Sequence, residues 1–150
     1  MTIDEIIGFV SALDGVLSLR PGPGDGSPEI SWGDTFFYYS PDGVVPKATQ
    51  PFATIVTKNY PGDESSGLDR PEAFRVNIAA GKEAFTQWTA QSTHHDPSAT
   101  DTLIPHPVYA SAGWLAVINP GPRTSTPTRQ LLESAYKRAR ARYERHATRA

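Results

Sequence analysis

The stretch FRVNI, residues 74–78, alternates apolar and polar side chains at every position. Successive residues of a β-strand point to opposite faces of the sheet, so this pattern predicts a strand with its three apolar side chains on one face. Arg75 and Asn77 then lie on the other face. We therefore expect a sheet with one face buried under helices and a second face that carries polar groups.

Short apolar or β-branched runs on both sides of this stretch predict further strands. They cover residues 16–19, 29–32, 35–40, 52–58 and 114–118. Gly33 and Asp34 suit a hairpin-type connection between the second and third of these runs. Residues 94–107 show no regular pattern. Residues 59–72 form a polar loop of a length that often covers or frames a site.

Three segments carry the spacing of amphipathic helices. The first begins with Thr2 and Glu5, which form a capping-box pair. The second covers about residues 81–91 and is expected to bury Trp88. The third is a basic C-terminal helix over about residues 126–146.

The order of these elements predicts an α+β protein. The strands lack the alternating helices that a parallel βαβ sheet requires. We expect a single domain over residues 1–150, an antiparallel β-sheet with the N-terminal, middle and C-terminal helices on one face. The length of 150 residues fits one ordinary domain, and 14 Pro and 12 Gly indicate short elements joined by turns.

The sequence contains no cysteine. Structural disulfides, thiolate zinc sites and cysteine nucleophiles are therefore excluded. No apolar run approaches the ~20 residues that a membrane span requires. The first residues carry acids where a secretion signal carries Lys or Arg, so we expect a cytoplasmic protein that does not associate with membranes.

His94, His95 and Asp96 are of the residue types that bind zinc, nickel or iron. Adjacent histidines tend to point apart, however, and this segment lies on no predicted helix or strand. We expect these three side chains to be solvated, and we expect no metal and no other cofactor. His106 lies between two prolines and is expected to be held in place as a structural histidine.

An enzyme would need His106 to work with a carboxylate of the 59–72 loop. Asp63 and Asp69 are the candidates for a general acid or base. Carboxylates in a loop so rich in Gly, Ser and Pro are usually solvated. A small tailoring or hydrolytic enzyme is therefore an alternative to the leading expectation.

The run FFYY, residues 36–39, places aromatic side chains on both faces of the sheet. Aromatic walls with a few convergent polar groups are the usual lining of a small-molecule site. The predicted ligand-binding residues are Tyr39, Lys58, Arg75, Asn77 and Trp114, with the 59–72 loop as a lid. Burial of this face by that loop or by a second copy of the chain is the alternative, so we expect a monomer or a homodimer.

The charge of the chain is unevenly distributed. Residues 1–128 hold seven basic and fourteen acidic side chains, whereas residues 129–150 hold seven basic and two acidic ones. Arg138, Arg142 and Arg145 lie on one side of the predicted third helix and are the candidates for contacts with nucleic-acid phosphates. The same side chains suit the solvated face of a helix, and no aromatic residues are interleaved with them.

Blocks spread along the chain resemble a known family. They are TIDEIIGFVSALDGV, WGDTFFYYSPDG, PFATIVTKNYPGDESSGLDRPEAFRVNIAAG and IPHPVYASAGWLAVINPGP. These blocks are similar to the actinobacterial family called domain of unknown function 6194. The resemblance covers nearly the whole chain and implies a stand-alone cytoplasmic domain. It brings no established activity and assigns no catalytic residue.

The last third of the chain has a looser resemblance to the MmcQ/YjbR-like proteins. In those proteins a Gly-Trp strand precedes a helix, as GWLAVIN precedes RQLLESAYKRARAR here. This resemblance implies a CyaY-like fold, an antiparallel sheet with helices on one face. DNA binding has been proposed for that group.

Together these observations lead us to expect a non-catalytic binding domain. It would hold a small, partly aromatic or anionic molecule against the open face of the sheet. DNA binding through the basic helix and a small enzyme built around His106 are the alternatives.

Overall fold

The structure, a computed structural model, describes residues 1–90 and 94–149 of the chain. In these residues three α-helices are formed: α1 (Ile3–Ser11), α2 (Lys82–Thr89) and α3 (Ser125–Arg149). The strands are β1 (Val16–Leu19), β2 (Thr35–Tyr39), β3 (Ala53–Val56), β4 (Arg75–Ala79), β5 (Leu103–Pro105) and β6 (Trp114–Ile118).

All six strands belong to one sheet with the order β1-β2-β3-β4-β6-β5. Each neighbouring pair is antiparallel. β4 lies inside the sheet, with β3 on one side and β6 on the other. The α+β class and the antiparallel sheet are confirmed.

The three helices pack against one face of the sheet and form the main hydrophobic core with it. α1 buries Ile6 and Val10, and α3 buries Leu132. The sheet contributes one residue in two along its strands, among them Phe37, Ile55, Val76, Ile78, Leu115 and Val117. Full burial of such a side chain contributes roughly 1.5–3 kcal/mol, so this face supplies much of the free energy of folding.

The start of α1 forms as the sequence indicates. The Thr2 hydroxyl accepts the backbone N–H of Glu5 at 3.1 Å, and the Glu5 carboxylate accepts the backbone N–H of Thr2 at 3.2 Å. The predicted capping box is confirmed.

Residues 29–32 do not form the predicted strand. Glu29–Ser31 is a 3-10 helix, because the Pro28 carbonyl accepts both the N–H of Ser31 at 3.0 Å and its hydroxyl at 2.7 Å. The hairpin predicted at Gly33 is therefore wrong, and β2 pairs with β1 and β3 instead.

Two further details differ from the predictions. The segment 94–107, predicted to be irregular, contains β5, whose three residues are too few to show an alternating pattern. α2 lies beside β5, where Ala84 and Phe85 pack against the core, and Trp88 is 39% exposed instead of buried. The last residue of the predicted second helix lies outside the described residues.

α3 spans 25 residues, which corresponds to a length of roughly 37 Å. The turn before it is held by Asp101, whose carboxylate accepts the backbone N–H groups of Gly121 and Thr124 at 2.8 and 3.0 Å. The first half of α3 packs on the sheet, whereas residues 140–147 are exposed. Of the helices in the described part of the chain, none has both the length and the apolar character needed to cross a membrane.

Candidate functional site

The open face is the side of the sheet that points away from the three helices. Strand alternation brings Arg75 and Asn77 of β4, Thr54 of β3 and Trp114 of β6 to this side. All four line one cleft, which we call the sheet cleft. Three of the predicted ligand-binding residues are thus brought together.

Arg75 lies at the base of the sheet cleft and is only 1% exposed. Its Nε–H donates to Oδ1 of Asn77 at 2.8 Å. Its two terminal nitrogens donate to the carboxylate of Asp63 at 3.0 and 2.5 Å, and Nη1 also donates to Oγ of Ser66 at 3.0 Å. Because Asp63 and Ser66 belong to the 59–72 loop, this fork-shaped pairing holds the loop over the sheet.

Asp63 is an ionised partner of Arg75. Burial by itself would raise the pKa of Asp63, but the hydrogen bonds and the positive charge of Arg75 outweigh it and hold the pKa below its usual value. The network continues on the other side of Arg75, where Nδ2 of Asn77 donates to Oγ1 of Thr54 at 3.0 Å. Hydrogen bonds therefore link Asp63, Ser66, Arg75, Asn77 and Thr54 in one network on the open face.

His106 approaches the same guanidinium group from the segment after β5. Its Nε2 lies 3.2 Å from Nη2 of Arg75. Its Nδ1 accepts the backbone N–H groups of Val108 and Tyr109 at 3.0 and 3.1 Å. The ring packs against that of Tyr109 in a tilted arrangement, with the centroids 5.0 Å apart. His106 is thus held in place from both sides, and it is only 3% exposed.

Burial and, to a lesser extent, the positive charge of Arg75 lower the pKa of His106 to about 4, although the negative charge of Asp63 opposes the shift. The imidazole is therefore neutral at pH 7. Within the described chain no hydrogen bond joins His106 to Asp63 or Asp69. Asp63 is bound to Arg75, and Asp69 is exposed.

The sheet cleft has a volume of about 720 Å³. Apolar and aromatic side chains form its walls, among them Ile30, Phe36, Val108, Tyr109 and Trp114. Ile30, Val108 and Tyr109 belong to the seven large apolar side chains that are exposed in the described part of the chain. A cleft with exposed apolar walls and a buried polar base is the usual form of a small-molecule site.

Lys58 does not line the sheet cleft, although the sequence predicts it as a ligand-binding residue. Its ammonium group donates to Oδ1 of Asp34 at 2.9 Å and to the carbonyl of Trp32 at 2.7 Å. The same carboxylate accepts the Tyr60 hydroxyl, and burial together with Asp34 raises the pKa of Tyr60 well above its usual value. Lys58 therefore helps to fix the start of the 59–72 loop.

Tyr39 lies on the opposite face from the one predicted. In β2 the side chains of Phe36 and Tyr38 point to the open face, whereas Phe37 and Tyr39 point to the helices. The ring of Tyr39 packs edge-on against Tyr136 and Tyr143 of α3, with centroid separations of 5.8 and 5.2 Å. Four aromatic residues in a row show no alternation, so the sequence does not define which pair points inward.

Tyr39 lines a second cleft, which we call the helix cleft, between α3 and the segment 40–52. It has a volume of about 620 Å³. Arg138 and Arg142 line it, whereas Arg145 does not. Nη1 of Arg138 donates to the carbonyl of Ala79 at 2.9 Å, so this arginine is anchored to the end of β4 rather than simply solvated.

The candidate metal ligands do not form a cluster. Asp96 accepts the backbone N–H and the hydroxyl of Ser98 at 2.9 and 2.7 Å, and these bonds lower its pKa. In the part of the chain that the structure describes, no three His, Asp or Glu side chains are placed to hold a metal ion, and this includes His94 and His95.

Sequence reasoning missed several residues of the open face. Ser66 and Tyr109 lie in segments without a regular pattern, and no local signal marks them. Asp34, which orders the loop through Lys58, follows a glycine in an apparent turn and looks solvated in the sequence. Thr54 could have been found, because it is the polar residue of a strand whose neighbours are apolar.

The fold and the sheet cleft define an α+β protein built on one six-stranded antiparallel open sheet. The chain belongs to the family of unknown function DUF6194, whose family model matches residues 1–148. This confirms the resemblance carried by the sequence blocks. No curated protein and no solved structure matches the chain. The relation to MmcQ/YjbR-like proteins stays a prediction.

Proposed function

We propose that the protein is a binding domain that holds a small, partly aromatic molecule in the sheet cleft. The observation that carries the proposal is the combination of a buried polar base with exposed apolar walls in one cleft. Arg75 and His106 form the base, and Ile30, Val108 and Tyr109 form the outer walls. Exposed apolar side chains that lie together mark interaction sites in proteins.

Two features support a ligand over a purely structural role. A buried ion pair is seldom more stabilising than apolar residues of the same volume, so the Arg75–Asp63 pair is weak evidence for a stability function. The aromatic rings of Tyr109 and Trp114 lie beside His106, with Trp114 at a centroid distance of 6.4 Å. Such rings offer stacking surface to a flat ligand.

A thermal-shift screen of a metabolite library tests the proposal, with three proteins side by side. These are the unmodified chain, Tyr109→Ser in the sheet cleft and Tyr143→Ser in the helix cleft, two tyrosines that are 55% and 40% exposed. A ligand at about 100 times its dissociation constant adds roughly 2.7 kcal/mol of stability. We expect hits that Tyr109→Ser abolishes and Tyr143→Ser preserves. The reverse pattern would refute the assignment to the sheet cleft.

Binding of nucleic acid by α3 is a second candidate function, favoured by one observation. Arg138, Arg142 and His146 follow one another at intervals of four residues and all line the helix cleft, with Lys47 also in its lining. Side chains at that spacing share one side of a helix, so Arg138 and Arg142 place their positive charges next to each other. DNA affinity should then fall steeply with salt, and deletion of residues 137–150 should abolish it. Binding that survives the deletion would exclude this candidate.

A further inference from the structure

More N–H donors point at the ring nitrogens of His106 than those nitrogens can accept. The backbone N–H groups of Val108 and Tyr109 point at Nδ1, and a guanidinium N–H of Arg75 points at Nε2. A neutral imidazole has one N–H and one lone pair, so only one of its two nitrogens can accept. Whichever nitrogen carries the proton faces at least one other donor.

The two tautomers differ in how many donors they satisfy. With the proton on Nε2, Nδ1 accepts the N–H groups of both Val108 and Tyr109. The contact between Nε2 and Arg75 is then the one place where two donors face each other. With the proton on Nδ1, both backbone N–H groups face a third N–H. The geometry therefore assigns the proton to Nε2, the nitrogen that faces Arg75.

This assignment leaves two donors side by side at the base of the sheet cleft. The Nε2–H of His106 and a terminal N–H of Arg75 are brought within 3.2 Å of each other by different elements, and both residues line the cleft. Neither can accept from the other. An acceptor atom that enters from the cleft satisfies both, and buried donors without an acceptor are costly.

The charge of the cleft determines which ligand groups it favours. Asp63 and Arg75 are the charged side chains in its described lining, and they neutralise each other. A carboxylate or an ammonium group would therefore enter without a counter-charge, which is unfavourable in a desolvated site. An uncharged carbonyl oxygen or an aromatic ring nitrogen has no such cost.

We propose that the sheet cleft binds an uncharged aromatic molecule through a carbonyl oxygen or ring nitrogen that accepts the Nε2–H of His106 beside Arg75. This inference rests on the proposed small-molecule function and names the ligand class of the same cleft. The rings of Tyr109 and Trp114 both pack against the His106 ring and line the same cleft, where they offer apolar surface to the aromatic part of the ligand.

The test is NMR spectroscopy of the full-length, ¹⁵N-labelled chain with four small probes. Acetophenone carries a neutral acceptor, ethylbenzene lacks one, benzoate adds a negative charge and benzylamine a positive charge. Before any probe is added, the ring nitrogens of His106 should show a proton on Nε2 and none on Nδ1. Acetophenone should then shift the Nε2–H signal of His106 and bind roughly three- to tenfold more tightly than ethylbenzene, the worth of one net hydrogen bond.

Several results would overturn the inference, and they separate it from the proposed function. A proton on Nδ1 refutes the donor argument directly. Equal or tighter binding of ethylbenzene, benzoate or benzylamine, with shifts of the Val108 and Tyr109 amides, refutes the ligand class but leaves a binding cleft. If no probe shifts these amides, both the ligand class and the small-molecule function are wrong.

Two variants at His106 isolate the donor. His106→Phe keeps an aromatic ring and removes the N–H, so the preference for acetophenone over ethylbenzene should disappear. His106→Gln keeps a side-chain N–H donor and should retain part of the preference. If both variants fail to fold, the tautomer measured on the unmodified chain still decides the question.

Discussion

The two faces of the sheet come from the same strands but are built with different chemistry. Under the helices, Ile55, Val76 and Ile78 are fully buried and need only close packing. On the open face, Thr54, Arg75 and Asn77 are also buried, but each must recover the hydrogen bonds that it loses to water. The helix face supplies most of the free energy that stabilises the fold. On the open face, part of that free energy is offset by the cost of removing polar groups from water.

This contrast predicts the largest effect at the ion pair that holds the open face together. Asp63→Ala leaves Arg75 buried without its carboxylate and should reduce the free energy of unfolding by about 3 kcal/mol or more. Asp69→Ala, in the same loop but exposed, is the matched control and should change it by less than about 0.5 kcal/mol. Urea unfolding measures both. Equal effects of the two substitutions would show that the Arg75–Asp63 pair does not stabilise the loop.

A second, slightly smaller effect should appear as a dependence of stability on pH. The pKa of His106 is about 4 in the folded chain and about 6.5 in the unfolded chain, so the unfolded state binds the extra proton first. The free energy of unfolding is therefore highest above about pH 6.5. It falls by roughly 2–3 kcal/mol as the pH is lowered towards 4, because the unfolded chain takes up a proton on His106 that the folded chain does not. His106→Phe should flatten the curve of unfolding free energy between pH 5 and 6.5. An unchanged slope in this variant would assign the proton uptake to other groups.

A smaller effect is expected at the end of the sheet, where two glycines meet. Gly113 has a φ of +82°, and a Cβ there would lie 3.1 Å from the backbone of Gly81. Gly113→Ala should therefore lower stability by about 1–2 kcal/mol. Gly22→Ala is the control, because its φ is ordinary and nothing lies within 4 Å of the added atom. Similar melting temperatures for the two variants would contradict the close approach of Gly113 and Gly81.

The smallest effect on stability is expected at the outer wall of the sheet cleft. Ile30→Ser removes an exposed side chain and should change the free energy of unfolding by less than about 0.5 kcal/mol. It should nevertheless lower the affinity of the protein for any ligand that binds in the sheet cleft. Trp88→Ser, an exposed aromatic residue outside the lining of both clefts, should leave affinity unchanged. Titration of the same ligand into both variants measures the two affinities. A loss of affinity in Ile30→Ser alone identifies Ile30 as part of the binding site.

Local patterns define much of this fold in the sequence. The capping box at Thr2, the alternation in β4 and the apolar run of β6 depend only on neighbouring residues, and each forms as predicted. Arg75 and Asn77 were predictable as members of the open face for the same reason. The strand predicted at 29–32 was wrong, because Ser31 hydrogen-bonds to the carbonyl of Pro28 and the segment forms a 3-10 helix.

The partners of the polar residues could not be predicted, because they depend on distant parts of the chain. Arg75 meets His106 across 31 residues, and Asp34 meets Lys58 across 24. These contacts depend on strand order and register, which no local pattern carries. Tyr39 shows the same limit on a smaller scale, since its side of the sheet depends on the pairing of β2 with its neighbours.

The most direct test of a ligand site on the open face is to locate the first ligand found by screening. Intermolecular nuclear Overhauser effects between that ligand and the full-length protein give its position without any substitution. We expect contacts with Ile30, Val108 and Tyr109, which line the sheet cleft but not the helix cleft. Contacts confined to Val44, Val45 and Tyr143 would place the ligand in the helix cleft and contradict it.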